Sequence, residues 1–568
     1  MFQKTTIIST LLALAVALPN PDTNATPKDG ESLIVTTPLG QIQGSVIQSR
    51  LGKHIYSFRG IRYALAPVQE LRFQPPVPVA KYEGIYNATQ DAPLCPQPTK
   101  DPVSEDCLFL NVYTTKLPKG SDKNVKRPVI VHIHAGGFYS VGSASYWAGP
   151  QYFMDQDIVL VTFNYRLGTL GFLSTGEKDA PGNNGLKDQV QVLKWVKQNI
   201  ESFGGDPNSV TILGYSAGAI SVVLHMVSPL SAGLFHKAVA MSGSPTSQWI
   251  LGHEQLEIAK KQARILKCPD DTSANIIKCL KTKPANDLGQ SLPQFAEFGT
   301  DPLLIWTPVM ERDFGQPRFL TAHPITLIQN GEFHKVPFIT GVTTDEFAYK
   351  AFNIVNNETL TKELNEKWEE KAPIAFLYER KTDQSKLVSK TLKKVYLEDK
   401  PVDKTSISAL GQLYADSTVG FGVNRAVKLI SEKNNASTYY YKFSFQGRYS
   451  HFYAPDSNGT KPYGVVHHDD LIYLFYISRL FPYFKDNSLK EVEMVNKFTS
   501  LYANFAKYGN PIPTPNDRLD NVKWEPYNTK SQKYLDIGNK LTLQEKLYEK
   551  RYSEWEKLYP LEKYAKIK

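Results

Sequence analysis

The stretch Thr211–Ile220 (TILGYSAGAI) places Ser216 between two glycines, after a run of β-branched residues and before residues that favour a helix. A serine on such a strand-to-helix turn projects its hydroxyl above the sheet, and the backbone N–H of the next residue, Ala217, points toward developing negative charge. The hydroxyl becomes an effective nucleophile only when a histidine, held by a carboxylate, takes its proton. Ser216 is therefore a candidate nucleophile if an acid and a histidine follow it.

Acidic and histidine residues do follow Ser216 in that order. Asp345 and Glu346 come directly after the apolar run in FITGVTTDEF, and the residue types alone leave either as the acid. The stretch YGVVHHDDLIYLF carries adjacent histidines in a loop before a helix-like apolar run. Three histidines follow the acids closely enough to serve as the base: His451, His467 and His468.

A separate glycine pair provides candidate donors for an oxyanion. The stretch HIHAGGFYSVG follows an apolar run and contains Gly136 and Gly137, whose backbone N–H groups can turn inward without side-chain obstruction. Together with Ala217, they complete the four elements that an acyl-transfer site needs: nucleophile, base, acid and oxyanion donors.

The surrounding pattern predicts an α/β chain that could position these residues. Nearly continuous β-branched runs at 128–134 and 157–166 are typical of strands buried on both faces. A helical period at 188–204 and a buried strand at 209–214 follow, which completes the α/β alternation up to Ser216. The segments at 33–47 and 54–67 predict N-terminal, antiparallel strands. Further strands are predicted at 336–342 and 439–445, and an exposed amphipathic helix near the C-terminus.

The N-terminal residues resemble a secretory signal peptide. Lys4 precedes an apolar run from Ile7 to Leu18, too short to span a bilayer, with small residues at a plausible cleavage position. We expect residues 1–18 to be removed and residues 19–568 to form a soluble, secreted protein without a stable membrane anchor. The net charge of +9 is spread along the chain, which favours an ordinary solvated surface over a nucleic-acid site.

Cysteines and sequons agree with secretion. The four cysteines form two close pairs, and we expect Cys95 to bond to Cys107 and Cys268 to Cys279 in an oxidising compartment. None has metal-ligand spacing, and no metal or organic cofactor is expected. Five glycosylation candidates occur: Asn24, Asn87, Asn357, Asn435 and Asn458.

The chain resembles the type-B carboxylesterase and cholinesterase family of α/β-hydrolases, and within it the secreted insect carboxylesterases, including the venom-associated group. The resemblance spans nearly the whole mature chain. Its motifs include FRGIRYALAP, SEDCLFLNVY, HAGGFYSVGSA, NYRLGTLGFLS, GYSAGA, TTDEF and GVVHHDDLIYLF. It implies one large domain with a mostly parallel central sheet, helices on both faces and a small N-terminal antiparallel sheet.

Carried over residue by residue, the resemblance makes Ser216 the nucleophile, Glu346 the acid and His467 the base. It implies oxyanion donors at Gly136, Gly137 and Ala217, and the two disulfides already expected. It also matches Glu105 and Arg166 to a charged pair that is structural in this family. Three aromatic residues are candidates for lining the substrate pocket, with a core role as the alternative for each: Trp249, Trp306 and Phe421.

Four features depart from the family pattern. Ala135 replaces the first glycine of a triplet and should narrow the site, whereas Tyr215 replaces a common glutamate and removes a negative charge beside the histidine. Phe347 stands where glycine usually follows the catalytic acid and should crowd that loop. The loop between Cys95 and Cys107 is short and lacks tryptophan, which argues against choline esters.

We therefore expect a secreted serine carboxylesterase that hydrolyses small-molecule esters through an acyl-serine intermediate. One alternative is an enzyme similar to juvenile hormone esterase, although that group usually carries glutamine at the position of Tyr215. The other is a non-catalytic binding or adhesion protein on the same scaffold. The retained serine, acid and histidine argue against the second alternative. The physiological substrate and the oligomeric state are not predicted.

Overall fold

The protein is described here by a computed structural model that covers residues 33–118, 126–249, 255–486 and 488–566. The predicted signal peptide and Asn24 lie outside these described residues. Within the described residues, no helix is both long and apolar enough to cross a membrane.

Fourteen strands in the described residues form one large and one small sheet. In chain order they are β1 (Ile34–Thr37), β2 (Gly40–Gln43), β3 (Ser45–Gln48), β4 (His54–Arg62), β5 (Ile85–Asn87), β6 (Phe109–Thr114), β7 (Arg127–Ile133), β8 (Val159–Phe163), β9 (Gly205–Tyr215), β10 (Lys237–Met241), β11 (Phe338–Thr343), β12 (Thr438–Phe443), β13 (Lys533–Ile537) and β14 (Leu541–Glu545). The large sheet has the order β14-β13-β12-β11-β10-β9-β7-β8-β6-β4-β3.

The centre of the large sheet is parallel. Strands β8, β7, β9, β10, β11, β12 and β13 pair in parallel, and antiparallel strands complete both edges. The carboxyl ends of β9, β10 and β11 therefore lie side by side, where ligand sites of open α/β sheets form. The small sheet has the order β1-β2-β5; β1 pairs with β2 antiparallel as predicted, but β5 joins β2 in parallel.

Fifteen α-helices accompany these strands in the described residues. They are α1 (Gly168–Phe172), α2 (Asn184–Asn199), α3 (Ala217–Val227), α4 (Gln255–Ile265), α5 (Ser273–Thr282), α6 (Ala285–Gln290), α7 (Pro324–Gln329), α8 (Lys350–Val355), α9 (Glu358–Glu366), α10 (Trp368–Ala375), α11 (Asp383–Leu397), α12 (Ile407–Ala415), α13 (Phe421–Lys433), α14 (Lys490–Tyr508) and α15 (Glu549–Leu558). A π-helical turn at Asp416–Gly420 joins α12 to α13.

Apolar residues cover both faces of the large sheet, because neighbouring strand residues point to opposite sides. On β7, Val129 and Val131 join a cluster with α2 and α3, whereas Ile130 joins a second cluster with α14. Helices α8–α12 and α15 bury a third cluster of their own. The large α/β sheet with helices on both faces confirms the predicted architecture.

Candidate active site

Ser216 occupies the turn between β9 and α3. Its φ of 56° lies in the left-handed region, which is strained for a residue with a β-carbon and is common at functional turns. The Ser216 N–H donates to the carbonyl oxygen of Met241 at 2.8 Å, which ties the turn to the end of β10. Ser216 is partly exposed at the carboxyl end of the sheet.

The glycines flanking this turn allow the backbone to approach closely. A β-carbon at Gly218 would collide with the carbonyl oxygen of Ile133, at the end of β7. A β-carbon at Gly214 would collide with the carbonyl oxygen of Gly218 itself. The glycine spacing around Ser216 is therefore a steric requirement of this strand-to-helix turn.

Three backbone N–H groups remain available around the serine. Gly136 and Gly137 have φ values of 108° and 59°, so glycine suits both positions. Ala217 is the first residue of α3, where backbone N–H groups have no partner within the helix. Among the described residues, none of these three N–H groups has an acceptor, which is the condition that an oxyanion hole must meet.

Glu346 and His467 are in direct contact, although they lie 121 positions apart in the chain. Glu346 Oε2 is 2.5 Å from His467 Nδ1, and Glu346 Oε1 accepts the Thr343 N–H at 2.8 Å. His467 Nε2 has no hydrogen-bond partner in the described part of the chain. Within the same residues, Ser216 Oγ and His467 Nε2 are not hydrogen-bonded to each other, and such bonds often close only when substrate binds.

Burial controls the protonation of this pair. It raises the pKa of the Glu346 carboxyl from 4.5 to about 7, an effect that hydrogen bonds from Ser242 and Thr343 oppose. Burial, with a smaller contribution from the charge of His451, lowers the pKa of His467 well below its usual range. The resting imidazole is therefore neutral and able to accept a proton.

The other candidate acid and histidines have different partners. Asp345 Oδ2 accepts the Val465 N–H at 3.0 Å, which ties the loop of the acid to the loop of the base. His468 faces Tyr215, and its ring centroid is 4.8 Å from the tyrosine ring. His451 Nδ1 is 3.3 Å from Asp469 Oδ1. The geometry thus brings Glu346 and His467 together and gives their neighbours structural contacts.

Tyr215 contacts the loop of the base through its hydroxyl. The His468 N–H donates to Tyr215 Oη at 2.6 Å, and the tyrosine ring lies 5.0 Å from the ring of His467. The hydroxyl also lies beside Asp470, where burial raises the carboxyl pKa well above its usual range. The residue types alone did not predict these contacts, although the run HHDD placed two acids directly after the histidines.

Two further departures from the family pattern, Phe347 and Ala135, have defined neighbours. Phe347 has a φ of 47°, and its ring stacks on the His467 ring with centroids 3.9 Å apart. Ala135 is buried, and its carbonyl oxygen is 2.7 Å from His134 Nδ1. The sequence predicted that Phe347 crowds the loop of Glu346; in the structure its ring stacks on that of His467.

Two of the three candidate pocket aromatics are enclosed by other side chains. Trp306 packs edge-on against Phe295, and Phe421 stacks on Trp555. Trp249 is also buried, and its Nε1 has no hydrogen-bond partner among the described residues. A role in substrate binding for Trp249, Trp306 and Phe421 stays a prediction.

The expected pairing of Glu105 with Arg166 is wrong. Glu105 instead pairs with Arg72, where the closest nitrogen and oxygen are 2.5 Å apart, and Arg166 pairs with Asp188 at 2.6 Å. Each arginine completes its hydrogen bonding on backbone carbonyl oxygens from distant segments, which the sequence alone does not reveal. Both pairs are structural in character.

Both predicted disulfides, Cys95–Cys107 and Cys268–Cys279, are present. The four sequon asparagines in the described residues are all exposed: Asn87, Asn357, Asn435 and Asn458. Their glycosylation stays a prediction.

Comparison with known proteins identifies the family of this chain. The profile of the carboxylesterase family matches residues 31–555. The chain belongs to the carboxylesterase family. It is therefore an enzyme that hydrolyses carboxylic esters, as the sequence motifs predicted, and the α/β-hydrolase fold is confirmed.

Insect esterases are among the relatives of this carboxylesterase. Esterase FE4 of Myzus persicae is 39% identical over 486 residues, which cover 83% of this chain and 84% of that protein. Juvenile hormone esterase of Tribolium castaneum is 37% identical, and the match covers 87% of this chain and 86% of that protein. Venom carboxylesterase-6 of Apis mellifera is 35% identical, and the match covers 89% of this chain and 90% of that protein.

A solved structure shares the fold over nearly the whole chain. It is the crystal structure of juvenile hormone esterase from Manduca sexta, with OTFP covalently attached. The TM-score is 0.81 at 28% sequence identity, and the match covers 93% of this chain and 100% of that chain.

Proposed function

We propose that this carboxylesterase works by a serine mechanism with Ser216 as nucleophile, His467 as base and Glu346 as acid. The observation that carries the proposal is the contact of 2.5 Å between Glu346 Oε2 and His467 Nδ1, which leaves Nε2 without a partner among the described residues. A neutral imidazole held in this way has the correct tautomer to take a proton at Nε2.

In the first half of the reaction, Ser216 Oγ attacks the ester carbonyl carbon while its proton moves to His467 Nε2. The carbonyl oxygen becomes an oxyanion, which accepts hydrogen bonds from the N–H groups of Gly136, Gly137 and Ala217. The C–O bond to the alcohol then breaks, and His467 returns the proton to the leaving oxygen. An acyl-serine remains.

The second half uses the same groups with water as the nucleophile. His467 takes a proton from water as its oxygen attacks the acyl carbon, and the oxyanion forms again in the same N–H groups. Collapse releases the carboxylic acid and returns the proton to Ser216 Oγ. Glu346 stabilises the imidazolium formed in both halves and fixes the orientation of the ring.

The same proposal extends to processing and location. Residues 1–18 are removed as a signal peptide, and residues 19–568 form a single secreted domain without a stable membrane anchor. Two disulfides support an oxidising compartment, as does the resemblance of the N-terminal residues to a signal peptide.

Juvenile hormone esterase activity is a second candidate, because two of the similar proteins carry that name. A terpenoid methyl ester and a series of short acyl esters, compared on the purified protein, separate the two candidates. A higher kcat/KM for the terpenoid ester favours the second candidate, and a higher value for the short esters favours the general esterase.

The nucleophile is tested with Ser216→Ala and a fluorophosphonate label. We expect Ser216→Ala to lose nearly all hydrolysis of a naphthyl ester, and mass mapping to find the label on Ser216. The control is Ser209→Ala, within β9, where the hydroxyl accepts a hydrogen bond from Lys237 at 3.2 Å. Full activity in Ser216→Ala, or a label on another residue, would refute the assignment.

A further inference from the structure

The side chain of Phe347 lies flat against the imidazole of His467. The ring centroids are 3.9 Å apart and the planes are inclined by 30°. The next ring contact of Phe347 is with Tyr349, at 6.1 Å. Among the ring contacts of His467, the one with Phe347 is the closest, so the phenyl face covers one side of the imidazole.

The backbone at Phe347 adopts a strained conformation. Its φ of 47° is a left-handed conformation that costs a residue with a β-carbon roughly 1 kcal/mol or more. The ring also packs in an apolar cluster with Val342, Val419 and Val423. The loop therefore keeps an unfavourable backbone angle at the residue that follows Glu346, and a large aromatic side chain occupies the space beside the base.

A phenyl face has a chemical consequence for an imidazole that changes charge. The face of an aromatic ring is electron-rich and attracts a cation, most strongly where water is excluded. His467 is buried and becomes an imidazolium when it takes the serine proton. The stacked ring therefore interacts more favourably with the protonated imidazole than with the neutral one.

Other groups around His467 also influence how readily its imidazole is protonated. Glu346 favours the imidazolium, and His451 opposes it. Tyr215 and His468 present rings at 5.0 and 4.4 Å. Further titratable groups in the same region act on these neighbours: Asp469 on His451, and Asp470 on Tyr215 and Glu346. Phe347 is the nearest ring among these neighbours, and it carries no charge at any pH.

We propose that Phe347 is a positioning residue, which holds the imidazole plane of His467 and favours the protonated ring that forms during ester hydrolysis. The inference rests on the proposed role of His467 as base. It assigns a function to a residue that the sequence marked only as an obstruction in the loop of the acid. The orientation of the ring is measured through kcat, and the stabilisation of its charge through the pH of the acid limb of kcat/KM.

The test compares Phe347→Leu with Phe347→Tyr in steady-state assays across pH. Leucine keeps apolar bulk and excludes water but has no aromatic face, whereas tyrosine keeps the face. Phe352→Leu is the matched control, because Phe352 lies a few residues further along the chain and its ring packs against those of Phe452 and Tyr463 and not against His467. Fluorophosphonate labelling of Ser216 and the Tm are measured for every variant.

For Phe347→Leu we expect kcat to fall about tenfold, equivalent to about 1.4 kcal/mol of transition-state stabilisation, with little change in KM. Protonation of the base is less favourable without the ring face, so the acid limb of kcat/KM should move to lower pH by about 0.5 unit or more. Phe347→Tyr and Phe352→Leu should keep the wild-type kcat and pH profile.

An unchanged kcat and pH profile in Phe347→Leu would overturn the proposal. So would a lower kcat with an unmoved acid limb and a lower Tm, because that result assigns Phe347 a packing role only. If the label does not react at Ser216 in the wild type, the serine mechanism fails instead. The two failures are therefore distinguishable.

Discussion

Replacing Tyr215 with phenylalanine tests whether the tyrosine hydroxyl supports the loop of His467, the base in the proposed mechanism. The His468 N–H donates to this hydroxyl at 2.6 Å, and the φ of His468 is 82°, in the left-handed region. Tyr215→Phe keeps the ring in place but removes the acceptor, so a partly buried N–H loses its partner. Asp470 loses the neighbouring hydroxyl that lowers its pKa.

The cost follows from these contacts. An unsatisfied buried N–H costs about 1 to 3 kcal/mol. Unfolding entropy near 2.1 cal/mol/K per residue amounts to roughly 1.2 kcal/mol per kelvin for a chain of 568 residues. We therefore expect the Tm to fall by only about 1 to 3 °C. We also expect an effect on catalysis, because His467 directly precedes His468, whose backbone loses its contact with Tyr215. A small displacement of the His467 ring lowers kcat by about tenfold.

The assay combines differential scanning fluorimetry with kcat and KM for a naphthyl ester. Tyr527→Phe is the control, because Tyr527 is also buried and its hydroxyl has no hydrogen-bond partner among the described residues. The control should leave kcat unchanged. If Tyr215→Phe keeps the wild-type kcat, the contact with His468 does not hold the base, and Tyr215 is only a packing residue.

Two further predictions concern the charged groups. Because the pKa of Glu346 is raised to about 7, the hydrogen-bonded pair of Glu346 and His467 gains a proton as the pH falls through that value, and this proton uptake by the pair sets the acid limb of kcat/KM. We therefore expect kcat/KM to decline between pH 8 and pH 6, and a flat profile over this range would contradict the assignment. Arg166→Met leaves the fully buried Asp188 without its partner and should destabilise the fold by about 3 to 5 kcal/mol, seen as a lower Tm. Arg264→Met, at an exposed ion pair with Asp270, should change the Tm little, and equal shifts in both variants would refute the reasoning.

The parts of this molecule that the sequence could predict are those set by neighbouring residues. The strand before Ser216, the glycines beside it and the start of α3 all depend on local backbone preferences and close packing. For the same reason, the buried runs that became β7 and β8 were recognisable from their composition. The order of serine, acid and histidine was also visible, because each sits at the end of a patterned segment.

Contacts between distant segments were not predictable in this way. The partner of Arg166 is Asp188, and that of Glu105 is Arg72, because three-dimensional packing chooses among several suitable charges. The contact between Tyr215 and the backbone of His468 spans 253 positions. No local pattern in either segment encodes it. The sequence shows that Phe347 departs from the family pattern, but its contact with the His467 ring depends on how the two segments pack.

The backbone bridge beside Glu346 and His467 has a consequence for how these two residues are kept in register. Asp345 pairs with Val466 in an isolated parallel bridge, which joins the two loops that carry Glu346 and His467. Between them the chain passes through helices α8–α13 and strand β12, and α8–α12 share an apolar cluster with α15. The acid and the base are therefore registered locally, by main-chain hydrogen bonding between adjoining loops, although 121 positions separate them along the chain.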